Sequence, residues 1–387
     1  MSAELDTFRA EVRAFIDERA PRFPIRAGVR SPEDGEQQQE LRRWTAELFA
    51  AGYVGADWPV EHGGVADHDP RRDDVVAEEL ARAYAPGPVS GNMLAARALI
   101  AYGTPEQQSA HLARMRAGDE IWCQLFSEPG AGSDLAALRT KAERVGDDFI
   151  VNGQKVWTTN GHWADLGYLL ARTDADVPKH KGISAFVVDM RAAGVTVRPL
   201  REMTGTADFN EVFFDDVRIP ATNMIGAPGQ GWAIANESLS HERSGVGAGV
   251  VALQQSFAAL WQRRDALPHL DAAATERLLE LHAAIEALAA LVRLGSERWQ
   301  AGTPGITDGP MGKLLYSELN LALAELAVEV LGPDGILVEG DGGAIDDGRW
   351  QDMYLYARAF TIAGGTSEIM RNVISERGLG LPREAVG

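Results

Sequence analysis

Apolar residues recur every three or four positions through the first 120 residues, which is the spacing of an amphipathic helix. Phe8, Val12 and Ile16 follow this spacing near the start of the chain. Further helices are predicted over residues 75–84, 91–102 and 105–117. Thr104 stands where it can cap the last of these helices, and Pro105 stands where it can open it. The pattern therefore predicts a helical N-terminal region.

From residue 121 the pattern changes to short runs of β-type composition, separated by turn residues such as Gly146 and Gly194. The runs cover residues 121–127, 139–145, 149–156, 166–172, 183–189, 195–199 and 211–219. Seven strands without crossover helices between them predict an antiparallel sandwich or a small barrel.

Helical spacing returns after residue 228, in long stretches with short links. The predicted helices cover residues 232–264, 272–301, 310–331, 346–360 and 367–377. Such a set is typical of a helical bundle. We therefore predict an α+β protein with three domains: an all-α domain over residues 1–120, a β domain over residues 121–228 and a helical bundle over residues 229–387.

The charge and the cysteine content exclude several classes of function. The 387 residues carry 37 basic and 56 acidic side chains, a net charge of −19, so binding to nucleic acid or anionic lipid is not expected. Charged residues interrupt every apolar run, and the N-terminus lacks the apolar centre of a signal peptide, so neither membrane insertion nor export is predicted. The single cysteine, Cys123, excludes a disulfide framework, and we expect a cytoplasmic protein. His62 and His111 lack the spacing of metal ligands, so no metal site is expected.

A glycine-rich segment follows the first predicted strand at residues 124–134, with the sequence QLFSEPGAGSD. Its backbone amides are free of bulky side chains, and the hydroxyls of Ser127 and Ser133 flank the turn. Such a turn suits an anion or the close approach of a flat ligand. By turn chemistry alone, an ordinary connection between strands is favoured.

A second segment, at residues 152–161, has the sequence NGQKVWTTNG and closes a strand that is expected to lie beside the first segment. Trp157 is suited to cover one face of a planar cofactor, and Thr159 is suited to donate a hydrogen bond to it. Considered alone, Trp157 is expected to be a core aromatic.

A third segment, at residues 361–372, has the sequence TIAGGTSEIMRN. Gly364 and Gly365 predict a tight turn, and Thr366 is placed to cap the helix that follows. Bare amides at a helix N-terminus suit a phosphate or a developing oxyanion. Simple helix capping is the alternative interpretation.

These three segments, in this order and within this layout of helices, strands and helices, resemble the acyl-CoA dehydrogenase family. The resemblance extends to residues 228–232 and 376–382. It implies a protein that binds FAD and oxidises an acyl-CoA thioester to the trans-2-enoyl-CoA. A carboxylate takes the α-proton in this reaction, while the β-hydrogen leaves as hydride to flavin N5. Electron-transfer flavoprotein as the electron acceptor and oligomerisation through the C-terminal bundle are also implied.

The resemblance implies that all three segments contribute to FAD binding, through Gln124, Phe126, Ser127, Ser133, Trp157, Thr159, Thr366 and Glu368. The first three of these residues line the isoalloxazine ring. Ser133 lies near the phosphates or near the pantetheine of the substrate. The amide of Gly364 donates to the thioester carbonyl, where the enolate charge develops.

The resemblance also implies an unusual place for the catalytic base. Many family members carry it in a Tyr-Glu-Gly-Thr motif, where this chain has AGGT at residues 363–366. A minority branch, which includes isovaleryl-CoA dehydrogenase, places the carboxylate on the first long bundle helix, directly before an arginine. Glu242 is the matching residue here, with Arg243 as its neighbour on the substrate side; an ion pair between the two is the alternative. Glycines within residues 245–249 predict the close approach of a substrate chain or of a packed neighbour.

The segment that reaches the adenine half of FAD in a neighbouring subunit departs from the common family pattern. Residues 262–269 lack the Arg-x-x-Phe-Gly motif, and Glu329 stands where a neutral Gln is common. This combination resembles the catalytic subunit of the heterotetrameric branch of the family, which is best known in steroid side-chain degradation. We therefore expect either an α2β2 heterotetramer with a paralogous subunit or a homo-oligomer with altered FAD contacts.

Other functions of the same fold stay open at this point. They are a flavin oxidase, a flavin monooxygenase, a dehydrogenase of carrier-protein thioesters, and a non-catalytic subunit that completes a partner's flavin site. The acyl group is also open between short, branched and steroid chains. Gly364 leaves room near the α-carbon, which is compatible with branched or ring-bearing acyl groups.

Overall fold

The computed structural model describes residues 3–242 and 246–383, apart from the side chains of residues 240–242 and 246. Helices come first, strands follow, and helices return, which confirms the predicted α+β class. The helices are α1 (Ala3–Arg19), α2 (Gly35–Ala50), α3 (Arg71–Arg82), α4 (Ser90–Tyr102), α5 (Pro105–Arg116), α6 (Gly231–Glu242), α7 (Val246–Gln262), α8 (Ala272–Gln300), α9 (Asp308–Leu331), α10 (Arg349–Phe360) and α11 (Ser367–Val373). The strands are β1 (Trp122–Leu125), β2 (Lys141–Val145), β3 (Asp148–Thr159), β4 (Leu166–Arg172), β5 (Ile183–Asp189), β6 (Val195–Leu200), β7 (Phe209–Pro220) and β8 (Met224–Ile225).

The chain divides into two compact units. The sheet unit consists of Ser31–Asp69 and Pro86–Glu242, and the helical unit consists of Met1–Arg30, Pro70–Ala85 and Arg243–Gly387. The first five helices divide between them: α1 and α3 belong to the helical unit, whereas α2, α4 and α5 belong to the sheet unit. Within the ranges that the structure describes, no helix is long and apolar enough to cross a membrane.

All seven predicted strands are present in the sheet, and β8 is a short eighth strand that the sequence pattern missed. The strand order is β6, β7, β3, β2, β4, β5 and β8, and β1 pairs with β4 beside this path. Strands β4 and β5 are buried along almost their whole length, which is the pattern of strands covered on both faces. Helices α4 and α6 pack against β1 and β5 respectively. The rings of Phe149 and Phe186 pack together in the core of the sheet unit, with their centroids 5.0 Å apart.

Strand β1 runs parallel to β4, with Trp122 opposite Leu166, whereas the sequence pattern predicts an antiparallel sandwich or small barrel. Strand β2 also meets β4 in one parallel pair, between Lys141 and Arg172. The other described pairings are antiparallel. A parallel pair needs a long connection, and the glycine-rich segment together with the β2–β3 hairpin provides it. The alternation of polar and apolar residues is the same in both directions, so the sequence pattern could not distinguish them.

The helix boundaries follow the local signals to within a few residues. At the start of α5 the Thr104 side chain accepts from the Gln107 amide at 3.3 Å, and the Gln107 side chain accepts from the Thr104 amide at 3.1 Å, so the predicted cap is a full capping box. The sequence predicts one helix over residues 232–264, and the structure describes two helices in this stretch, α6 and α7. Residues 243–245, between them, lie outside the described ranges. Helix α11 is shorter than predicted and continues as a π-helical turn, Ile374–Gly378.

One glycine near the start of α7 has a packed neighbour. A Cβ atom at Gly249 would lie 2.7 Å from the ring of Tyr316 on α9, so a larger residue there would force the two helices apart. A Cβ atom at Gly247 would meet Val292 at an ordinary distance of 3.9 Å. Gly245 lies outside the described residues. Helix packing, rather than a substrate chain, therefore accounts for the close approach at Gly249.

A buried carboxylate joins α1 to α3. Glu79 is 1% exposed and accepts hydrogen bonds from Arg9 at 3.1 Å, from Arg13 at 2.9 Å and from Arg82 at 2.6 Å. Burial alone would raise the pKa of this carboxyl group, but the three guanidinium groups outweigh burial and lower the pKa of Glu79 to about 2. This cluster therefore stabilises the contact between the two helices in the ionised state.

We predict that Glu79→Gln lowers the free energy of unfolding by about 2 kcal/mol at pH 7, because charged hydrogen bonds to three arginines are lost. The folded carboxyl group has the lower pKa, so its contribution is complete above about pH 4.5 and is lost as the pH falls toward about 2. Urea unfolding of both proteins across this pH range measures the difference. The control is Glu78→Gln, which removes a more exposed pair with Arg9 and should cost less than about 1 kcal/mol. Equal losses in the two variants at pH 7 would contradict the prediction.

Candidate active site

The first two sequence motifs lie side by side in the sheet unit. The amide of Val156 in β3 donates to the carbonyl oxygen of Ser127 at 2.9 Å, just beyond the end of β1. The turn that follows is closed by two backbone hydrogen bonds between Glu128 and Ala131, at 3.0 and 3.1 Å. The structure therefore brings Ser127 next to the residue that precedes Trp157.

Packing within the chain does not require the glycines of this turn. A Cβ atom at Gly130 or at Gly132 would meet no described atom within 4 Å, and both residues are exposed. Ser133 is exposed as well, and Ser127 is partly exposed. The turn thus leaves open space around its backbone, which a flat or anionic ligand requires.

A fully buried ion pair supports the turn. Lys155 is 0% exposed, and its Nζ donates to Glu128 Oε1 at 2.8 Å and to the carbonyl oxygen of Phe126 at 2.9 Å. The Glu128 carboxylate also accepts from the amides of Arg139 at 2.6 Å and Thr140 at 2.8 Å. Burial lowers the pKa of Lys155 to about 8, although the charge of Glu128 opposes this change. Both residues stand inside the predicted motifs, but no sequence signal indicates their pairing, because 27 positions separate them.

Trp157 is exposed, whereas a core position was expected for this residue considered alone. Its side chain is 62% exposed, and its φ of +62° lies in the left-handed region. The register of β3 against β7 shifts between Lys155 and Thr158, and this bulge turns the indole outward. A left-handed aromatic residue is strained, and an exposed indole contributes little to folding. The position therefore suits contact with a ligand.

The other predicted residues of this unit differ in exposure. Gln124 and Thr159 are partly exposed. The ring of Phe126 is 4% exposed and packs edge-on against Tyr168 at 4.9 Å, so its side chain belongs to the core. Thr158 is fully buried, and its hydroxyl has no hydrogen-bond partner among the residues that the structure describes. The expectation that Phe126 lines a flavin ring can therefore concern its backbone only.

The third motif forms a turn before α11 in the helical unit. Gly364 and Gly365 have φ values of +67° and +104°, which favour glycine. Gly364 is exposed, and a Cβ atom there would meet nothing within 4 Å in the described part of the chain. Thr366 caps α11 as predicted and accepts from the Ile369 amide at 3.2 Å. Glu368 is exposed in the first turn of α11.

A second buried lysine holds this turn. Lys313 on α9 is 8% exposed, and its Nζ donates to the carbonyl oxygen of Gly365 at 2.5 Å. One helical turn further on, the Ser317 hydroxyl donates to the carbonyl oxygen of Phe360 at 2.8 Å. Burial lowers the pKa of Lys313. Helix α9 therefore fixes both ends of the segment from Phe360 to Gly365, a role that no sequence motif indicated.

The predicted base lies at the edge of the described residues. Helix α6 ends at Glu242, but the side chain of this residue lies outside what the structure describes. Arg243 lies outside the described residues altogether. The assignment of Glu242 as base and of Arg243 as its neighbour on the substrate side stays a prediction.

Two positions depart from the family pattern, residues 262–269 and Glu329, and residues at both form ion pairs within the helical unit. Arg263 Nε donates to Asp346 Oδ2 at 3.1 Å. Arg277 pairs with Glu329 at 2.7 Å. The negative charge of Glu329, where a neutral Gln is common, is therefore balanced within the chain.

Comparison with known proteins identifies the family. Models of the acyl-CoA dehydrogenase N-terminal, middle and C-terminal domains match residues 2–119, 123–217 and 229–379. Acyl-CoA dehydrogenase IpdE1 of Mycobacterium tuberculosis is 40% identical over 390 residues, which cover 99% of this chain and 100% of that protein. The chain belongs to the acyl-CoA dehydrogenase family. The resemblance that the three motifs indicated is thereby confirmed.

Solved structures with the acyl-CoA dehydrogenase fold match the chain from end to end. The Tcur3481–Tcur3483 steroid ACAD has a TM-score of 0.87 and 27% identity, with 99% of each chain covered. The ChsE4–ChsE5 complex from Mycobacterium tuberculosis has a TM-score of 0.82 and 31% identity, again with 99% of each chain covered. As an acyl-CoA dehydrogenase, this chain is a flavin-dependent oxidoreductase that acts on acyl-CoA, and members of the family depend on FAD.

The residues of the sheet unit fit the flat ring of FAD. Trp157 offers an exposed aromatic face, and the turn at residues 130–132 offers a backbone that no described side chain covers. The hydrogen bond between Val156 and Ser127 holds these two features together. An aromatic face beside an open glycine turn is suited to a planar, phosphate-bearing cofactor.

We predict that Trp157→Asn keeps or raises the free energy of unfolding of the flavin-free protein, by up to about 1 kcal/mol, because Asn tolerates the left-handed conformation. The same variant should bind FAD about fivefold more weakly, because an aromatic contact contributes roughly 1 kcal/mol. Urea unfolding of the flavin-free chain measures the first effect. FAD titration measures the second, in the complex with the paralogous subunit if the chain alone does not bind FAD. The control is Trp163→Asn, whose indole is buried and whose loss should cost about 3 kcal/mol or more. Unchanged FAD affinity in Trp157→Asn would remove Trp157 from the site.

Proposed function

We propose that this acyl-CoA dehydrogenase converts an acyl-CoA thioester into the trans-2-enoyl-CoA, with Glu242 as the base that takes the α-proton. The α-hydrogen of a thioester is a weak acid, so its removal needs a base and also stabilisation of the enolate oxygen. FAD, when bound, supplies the acceptor for the hydride from the β-carbon. The observation that carries most weight is the exposed Trp157 beside the open glycine turn, because the fold itself does not need this arrangement.

Residues of the three motifs, together with Arg243, take the remaining roles in this proposal. FAD is bound by Gln124, the backbone of Phe126, Ser127, Ser133, Trp157, Thr159, Thr366 and Glu368. The amide of Gly364 donates to the thioester carbonyl, and Ser133 and Arg243 bind the substrate. The exposure and left-handed conformation of Gly364 support its role, since they leave the backbone accessible.

Glu242 is proposed as the base because the loop position used by most of the family has no carboxylate here. Residues 363–366 are AGGT, and at Gly364 the described chain leaves open space instead of an acidic side chain. Glu242 is the last residue of α6, directly before an arginine, as in the minority branch of the family. The alternative is a helical ion pair between Glu242 and Arg243, which would leave the chain without a base.

We also propose that the acyl group is bulky and carries rings. One similar solved structure supports this proposal, because its name describes it as a steroid ACAD. The open space at Gly364 is consistent with a branched or ring-bearing chain near the α-carbon. Short linear acyl chains are the alternative.

The FAD site is proposed to be completed by a paralogous partner chain. The names Tcur3481–Tcur3483 and ChsE4–ChsE5 each join two components, and both proteins align with this chain over 99% of its length. Residues 262–269 lack the Arg-x-x-Phe-Gly motif, and Glu329 is engaged by Arg277. Electron-transfer flavoprotein as the electron acceptor and the cytoplasm as the location stay predictions.

We predict that Glu242→Gln keeps bound FAD but lowers turnover by about 10²- to 10⁴-fold, which is the usual contribution of a general base. Anaerobic bleaching of the flavin by ring-bearing, branched and short linear acyl-CoA thioesters measures the reaction and ranks the acyl groups. The matched control is Glu237→Gln, an exposed carboxylate on the same helix, which should stay within twofold of the wild type. Wild-type bleaching rates in Glu242→Gln, measured in the assembled complex, would reject this base and favour a non-catalytic subunit.

We predict that the chain expressed alone carries well below one FAD per subunit, even after incubation with excess FAD, and that co-expression with its paralogue restores flavin binding. The reason is that one half-site for the cofactor is missing from residues 262–269. The ratio of flavin to protein absorbance measures the FAD content of the chain alone and of the co-expressed proteins. Gel filtration then shows whether the two chains form one complex. Full occupancy without a partner would contradict the heteromeric assembly and favour a homo-oligomer.

A further inference from the structure

Lysine is used sparingly in this chain, and two of its lysines are buried. The sequence has five lysines against 32 arginines. Lys141, Lys179 and Lys181 are exposed, whereas Lys155 and Lys313 are buried. Each buried lysine donates to a backbone carbonyl oxygen of a loop that carries proposed site residues. The two buried lysines therefore share a structural use, which is to bind the backbone of a loop from inside the fold.

Lys155 and the next residue fix three consecutive residues of the glycine-rich turn. The ammonium of Lys155 binds the Phe126 carbonyl and the Glu128 carboxylate, and the Val156 amide binds the Ser127 carbonyl. The amide of Arg139 binds the other oxygen of this carboxylate, Oε2, and the amide of Thr140 shares Oε1 with Lys155. Trp157 follows immediately in the chain. Lys155 and Val156 therefore connect the start of the turn to Trp157, the next residue, through hydrogen bonds.

Stability alone does not explain this pair. Moving an ammonium and a carboxylate out of water is costly, and a buried ion pair can often be replaced by apolar residues of similar size without loss of stability. The pair instead gives directional hydrogen bonds to a carbonyl and to a turn, which an apolar pair cannot provide. A binding site for a flat ring needs its walls held to within about 0.5 Å.

We propose that Lys155, through Glu128 and the Phe126 carbonyl, is a positioning residue that holds Ser127 and Trp157 in the geometry that FAD binding requires. The proposal rests on the flavin site proposed above. Lys155 itself is buried behind the turn and acts through these neighbours, without contact to the cofactor.

The repeated use of lysine in the helical unit supports this interpretation independently. Lys313 fixes the carbonyl oxygen of Gly365, directly after the residue proposed to bind the thioester carbonyl. In both units a buried ammonium holds the backbone of a loop whose glycine is exposed with open space at its Cβ position.

The test is the double variant Lys155→Met/Glu128→Gln, which leaves no charge of the pair buried and unpaired. The matched control is Lys141→Met/Glu143→Gln, an exposed pair at 2.5 Å in the same sheet, with the same change of charge. FAD titration, visible circular dichroism of the bound flavin and urea unfolding of the flavin-free protein are measured for both. The assembled complex is used for the flavin measurements if the chain alone does not bind FAD.

We expect the buried double variant to unfold at the wild-type urea concentration, to bind FAD at least tenfold more weakly and to show an altered flavin dichroism band. The exposed control should match the wild type in all three measurements. FAD affinity within twofold of the wild type would overturn the proposal, and so would a buried variant that fails to fold, because the pair would then serve the fold. Trp157→Asn distinguishes the failure of this proposal from the failure of the flavin site on which it rests. Normal FAD binding in Trp157→Asn would remove Trp157 from that site. Weak binding in Trp157→Asn together with normal binding in the double variant would overturn the role of Lys155 alone.

Discussion

A single backbone hydrogen bond determines how the sheet unit builds its candidate site. Strand β1 ends after four residues, and the next carbonyl, that of Ser127, finds its donor in the Val156 amide of β3 at 2.9 Å. Backbone polar groups near a protein core need such partners, because an unpaired one costs about as much as a lost hydrogen bond. Strand β3 then makes its bulge one residue later, at Trp157. The hydrogen bond from Val156 to Ser127 thus places the glycine-rich turn beside the bulge that exposes the indole.

Local patterns predicted the helices and strands of this fold better than they predicted which elements pair or pack together. Alternation and turn residues were sufficient for seven strands, but the two residues of β8 are too few to show a period. The parallel direction of β1 was missed because burial of Cys123 and Leu125 is the same in either direction. Helical spacing predicted α1 and α3, but it could not predict their connection through Glu79, since Arg9 and Arg13 lie 70 and 66 positions away.

The candidate site was found through the order of its motifs rather than through any one residue. Trp157 illustrates the difference, because only the bulge in β3 distinguishes an exposed indole from a core one. The sequence shows Lys155 and Glu128 as charged residues inside a strand and a turn, but only the tertiary structure shows that they form an ion pair. The scarcity of lysine could have drawn attention to Lys155. The choice of Glu242 depends on the family branch, since its side chain lies outside the described structure.

The uneven use of lysine also limits where amine chemistry can occur on this protein. The exposed lysines, at positions 141, 179 and 181, all belong to the sheet unit, and Lys313 in the helical unit is buried. Guanidinium groups stay protonated and do not act as nucleophiles toward activated esters or thioesters. Acylation, crosslinking or fluorescent labelling of lysine will therefore report on the sheet unit. The lysine of the helical unit, Lys313, is buried and therefore poorly accessible to such reagents.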